Sequence, residues 1–103
     1  MPVQQPPEPL RTVLVTVFHA NVYSAADWRQ DLLRWETSRP ENAALVKQQF
    51  ADVVFRDTLT LGQFVAITGQ EVLDENDMKQ WFRQRFYQHW GRQPRESDCT
   101  PSA

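Results

Sequence analysis

Between Leu10 and Gly91 the chain almost lacks the residues that interrupt helices: it has one proline, Pro40, and two internal glycines, Gly62 and Gly69. Proline removes a backbone donor and glycine is entropically costly inside regular structure. Their scarcity therefore favours a few long helices over many short strands. The remaining prolines, Pro2, Pro6, Pro7, Pro9, Pro94 and Pro101, cluster at the two ends. That distribution predicts a disordered Pro-rich leader over 1–9, one globular domain over 10–91 and a disordered tail over 92–103. A chain of 103 residues has room for one such core.

Local signals divide the domain. Thr12–Phe18 (TVLVTVF) is rich in β-branched residues and reads as a strand, with Val13, Val15 and Val17 on one side and Leu14, Thr16 and Phe18 on the other. Ser24 with Asp27 three residues on suggests a capping box, followed by Trp28, Leu32 and Trp35 on one helical face. Arg39-Pro40 ends that helix, and Pro40 suits the first position of the next, where Ala43, Val46, Phe50, Val53 and Val54 share a face. Thr60 and Gln63 have capping-box spacing, which predicts a helix over 61–68 closed by Gly69, with Leu59 stapled to Phe64. The alternative is a hairpin over 58–67 turning at Gly62-Gln63. Asp74 caps a last helix to Trp90, stopped by Gly91, with Leu73 and Met78 as a staple. The expected class is α+β and mostly helical: one N-terminal strand, alone or in a small sheet with the 58–67 hairpin, packed with three to four helices.

The last helix is the most informative for function. Met78, Trp81, Phe82, Phe86 and Trp90 form a broad apolar stripe, and Arg85 and His89 fall inside it. Aromatic residues and arginine dominate interface hot spots, so Trp81, Arg85, His89 and Trp90 are candidate partner contacts. A lone strand also needs a pairing partner, which adds Val13, Val15 and Val17 as a candidate edge for strand addition or for a second copy. Charge along the final helix is skewed: Glu71, Asp74, Glu75 and Asp77 precede Lys79, Arg83, Arg85, Arg92 and Arg95. The helix macrodipole favours that order. The functional alternative is single-stranded nucleic acid bound by Lys79, Arg83, Tyr87, Arg92 and Arg95, with ring stacking and phosphate contacts. A helix-turn-helix over 61–68 and 78–90 fits poorly, because the 69–77 connection is too long and too acidic.

A net charge of −2 and a pI near 5.6 argue against a chain built wholesale for phosphate backbones. No apolar run approaches the roughly 20 residues of a membrane span, and the N-terminus does not read as a signal peptide. One cysteine, Cys99, cannot form an internal disulfide, which suits a reducing, cytoplasmic setting. His19 and His89 are far apart in sequence and no metal-ligand spacing or phosphate-cradling loop occurs, so no cofactor and no catalytic constellation is expected. Pro6-Pro7-Glu8-Pro9-Leu10-Arg11 fits the loose proline-rich pattern read by SH3 domains.

The stretch Phe86-Tyr87-Gln88-His89-Trp90 resembles an aromatic-aromatic-x-His-Trp segment of nitrile hydratase accessory and β-subunit proteins, over roughly the last third of the chain. Those proteins continue the helix where Gly91 and Pro94 stop it here, and their Pro-Trp entry segment is missing upstream. The functional expectation therefore rests on the residues: a small, soluble, non-catalytic protein-binding module (a regulator, inhibitor or assembly factor) that docks on a larger protein or on its own copy, with nucleic-acid binding as the alternative.

Overall fold

The computed structural model describes residues 8–21 and 23–100. Five α-helices follow one another among the described residues: α1 (Leu10–Thr16), α2 (Trp28–Ser38), α3 (Pro40–Arg56), α4 (Leu61–Thr68) and α5 (Glu75–Trp90), then a 3₁₀ turn over Glu96–Asp98. There is no strand among them, so the domain is all-helical and the α+β expectation is overturned. The 58–67 hairpin does not form either.

The N-terminal correction has a clear physical cause. Leu10, Val13, Leu14, Val17 and Phe18 are buried, while Val15 is 38% exposed. That is a 3-4 repeat, the period of a helix face, and it places Val13 and Val17 inward and Val15 outward. A helix as short as α1 is marginal alone, and partners from distant segments hold it. The buried Gln49 side chain on α3 accepts from the Leu10 amide at 2.9 Å and donates to the Glu8 carbonyl at 3.1 Å. At the exit, Gln70 donates to the Phe18 carbonyl at 2.9 Å and the Ala20 amide donates to the Thr68 carbonyl. With its backbone bonded within α1 and, at the exit, to Gln70, Thr12–Phe18 has no ladder to offer, and strand addition through Val13, Val15 and Val17 falls away.

The other helices begin and end on local chemistry. Helix α2 starts at Trp28 rather than Ser24, whose carbonyl accepts from the amides of Asp27 and Trp28 in the preceding turn. Pro40 is the first residue of α3. Thr60 and Gln63 form a reciprocal capping box at α4, and Gly69 closes it at φ 68°, a conformation glycine adopts without a Cβ penalty. Asp74 accepts from the Asp77 amide at 2.8 Å to start α5, and Gly91 at φ 80° ends it. The Leu73–Met78 staple is absent: Met78 is buried and Leu73 is 90% exposed.

Helix α3 is the hub, packing against α1, α2, α5 and the 3₁₀ turn, while α4 bridges α1 and α5. Five phenylalanines, Phe18, Phe50, Phe64, Phe82 and Phe86, are fully enclosed between them. After Gly91 the chain, expected as a tail, returns along α3. Arg92 grips Asp98 with two hydrogen bonds, Asp52 accepts from the amide and hydroxyl of Thr100, and Cys99 is buried. Pro9 is buried at φ −88°, ψ 2°, and Leu10 is already helical, so the second half of the SH3-type pattern is not an extended polyproline segment; Pro6 and Pro7 lie outside the described residues.

Candidate functional site

The candidate contacts of α5 separate into an inner and an outer pair. Trp81 is only 8% exposed and meets Phe18, Phe64 and Phe82 edge-to-face, with centroids 5.0 Å apart in each case. Arg85 lies over the Trp81 indole at 4.6 Å and donates to the Tyr23 hydroxyl at 3.0 Å. A half-buried guanidinium is thus accommodated by a π face and a phenol rather than by a carboxylate. Trp81 belongs to the interior, and Arg85 covers it at the edge of the core.

His89 and Trp90, one turn further on, come to the surface beside α2. His89 shares a 2.6 Å hydrogen bond with Glu36, and both side chains are largely enclosed, 9% and 12% exposed. The imidazole also packs on Trp28 and edge-on to Trp90, at centroid distances of 6.0 and 4.8 Å. The pair ties the last turn of α2 to the last turn of α5. Above it opens a shallow groove of about 550 Å³, lined by Ala26, Arg29, Gln30, Leu33 and Trp90 together with Glu36 and His89. Leu33 is 58% exposed on its rim, and a second shallow hollow continues along α2 past Leu33 and Arg34 to Thr37 and Ser38. Trp28 and Leu32 turn inward on the same helix, so Leu33 is held on a rigid backbone facing outward.

Leu33 and Arg29 were not singled out by sequence reasoning. Their signal was present, because both fall off the Trp28, Leu32, Trp35 face. What the sequence lacked was the knowledge that the end of α5 would lie beside them.

The residues proposed for nucleic acid are differently disposed. Lys79 pairs with Asp57 at 2.5 Å and Arg92 is committed to Asp98, whose proximity raises the guanidinium above its ordinary value. Tyr87 and Arg95 are exposed and Arg83 is half-buried. Two of the five cations and rings thus already carry an acid partner, which lowers the positive potential available to phosphates.

Among the described residues no group of three or more His, Cys, Asp or Glu side chains could hold a metal ion, and no helix is long and apolar enough to cross a membrane. The Cys99 thiol is pushed up from its ordinary value, by burial first and by the neighbouring Asp52 next. Comparison with protein-family models, curated proteins and solved structures finds no match to this chain.

Proposed function

We propose that this chain is a non-catalytic protein-binding domain whose docking surface is the groove between α2 and the end of α5. The observation that carries the reading is Leu33, 58% exposed beside the half-buried Trp90 on two helices locked together by the Glu36–His89 bond. A rigid aliphatic and aromatic platform with a polar rim is the anatomy of an interface centre. Arg29, at the groove edge, forms no ion pair among the described residues. The occupant that fits is a partner segment presenting an apolar side chain next to a carboxylate: the apolar group covers Leu33 and Trp90, and the carboxylate meets Arg29. The lining contains no serine, threonine or cysteine, and its histidine is already bonded to Glu36, so the groove offers contacts rather than a nucleophile.

The test compares the wild-type chain with L33D and R29E as baits in an extract of the source cells. Both positions are exposed, and circular dichroism should show unchanged helix content. A stoichiometric protein retained by wild type and lost from both variants is the expected outcome. Retention by L33D refutes the reading. So does oligonucleotide binding that strengthens as salt falls and is lost on charge reversal at Arg83 and Arg95.

A further inference from the structure

At the opposite end of α5 from the Leu33 groove lies a second apolar hollow that the proposed function does not use. It is formed by Val65 of α4 with Val72 and Leu73 of the approach to α5, and has a volume of about 460 Å³. A scattered surface leucine needs no explanation. Leu73, however, is 90% exposed, shares this hollow with Val65 at 41% and the partly buried Val72, and sits on anchored backbone. Its amide donates to Asp77 at 2.9 Å while the Asp77 amide donates to Asp74 at 2.8 Å. The side chain is thereby displayed outward from a doubly capped turn, and Met78 occupies the inward position that a staple would have given it.

The rim of this hollow carries one sign of charge. Glu71 and Asp77 line it, with Asp74 and Glu75 in the same seven-residue stretch. Asp74 and Asp77 act as caps, whereas Glu71 and Glu75 form no ion pair or hydrogen bond among the described residues. The nearest cation along the chain, Lys79, is paired with Asp57. Capping and the macrodipole account for acids in the first turn of α5, but neither accounts for Glu71 ahead of it or for apolar groups held in water between carboxylates.

We propose that the Val65–Val72–Leu73 hollow docks a cationic amphipathic helix of a partner protein. Its apolar face would cover Leu73, and its Lys or Arg side chains would reach Glu71 and Glu75. Helix-in-groove docking is the mode that fits, since the described residues present no sheet edge for strand pairing. The site is separate from the Leu33 groove, and its partner chemistry is opposite in sign.

The experiment titrates the full chain against a labelled leucine–lysine amphipathic peptide, read by fluorescence anisotropy, with a leucine–glutamate peptide of the same pattern as control. L73D is the decisive variant because it adds negative charge. Attraction by charge alone would tighten binding to the cationic peptide, whereas the hollow requires it to weaken by about tenfold or more. E71K should weaken it too, and L33D should leave it unchanged. Equal or tighter binding by L73D, equal binding of the leucine–glutamate peptide, or loss of binding in L33D instead would overturn the proposal. It would equally be overturned if the peptide-free chain sedimented as an oligomer that L73D dissociates, since the occupant would then be a second copy.

Discussion

Replacing His89 with phenylalanine isolates the bond that holds α2 against the end of α5. A planar ring is retained, slightly larger than the imidazole, so packing on Trp28 and Trp90 is kept, but the Glu36 carboxylate loses its 2.6 Å partner while only 12% exposed. Leaving such a group unsatisfied costs about 1–3 kcal/mol, and more if it stays charged. We expect H89F to lose about 2–4 kcal/mol from a total stability of about 5–15 kcal/mol for a domain of this size. E36L, which strands the imidazole instead, should lose about 1–2 kcal/mol. The double variant E36L/H89F places two apolar groups where the pair stood and should recover most of the loss, because matched apolar replacement of a buried polar pair is often close to neutral. The coupling in the double-mutant cycle, the part of the summed single losses that the double recovers, is then about 2–5 kcal/mol. Urea unfolding followed by far-UV circular dichroism is the appropriate assay, since indole fluorescence would respond directly to the ring change beside Trp90. The slope of free energy against urea should stay constant across the cycle. A coupling below about 0.5 kcal/mol, or a double variant as unstable as the sum of the singles, would refute the claim that this pair locks the two helices.

Other perturbations follow from local geometry. T60A removes the oxygen that accepts from the Gln63 amide and should destabilise the domain by about 1 kcal/mol, visible as a lower urea midpoint; an unchanged midpoint would mean the box contributes nothing. Asp98 is held down to about 2 from its ordinary 3.8 by the Arg92 hydrogen bonds. Its contribution to stability is therefore present above about pH 4 and is lost as the pH falls through about 2. D98N should show a shallower acid loss across that interval than wild type, and superimposable pH profiles would contradict the assignment. The Cys99 thiol, buried and raised above its ordinary value, should react slowly with a thiol reagent in the folded chain. D52A, which frees Thr100 from its carboxylate, should speed that reaction several-fold without unfolding the core; an unchanged rate would show that Asp52 does not hold the returning segment.

The residues differ in how far their roles could be read from sequence. Thr60 with Gln63 and Gly69, Pro40, and Asp74 with Gly91 all marked helix ends that the structure contains. Caps act over three or four residues, and their chemistry is complete within the local chain. The segment 12–18 misled because it is dense in β-branched residues, and β propensity is a local feature that tertiary packing overrides. Its helical burial pattern, Leu10, Val13, Leu14, Val17 and Phe18 inward with Val15 outward, is set by the helices packed against it. The α5 wheel identified an apolar stripe correctly as a stripe, yet it could not separate Trp81 from Trp90. The first is enclosed by Phe18 and Phe64 and the second borders a groove with α2.

The amino-acid order by itself thus marked where α3 begins and where α5 starts and stops, because caps, prolines and positive-φ glycines act on their immediate neighbours; it left 58–67 open between α4 and a hairpin and set the start of α2 four residues early. Tertiary structure decided whether the first segment coils or extends, because its ends are satisfied by Gln49 and Gln70, 39 and 52 residues away from the groups they bind. It also decided which aromatic and aliphatic side chains are left at the surface. A helix face is buried only when another helix covers it, and which helix covers it is a property of the assembled core rather than of the face.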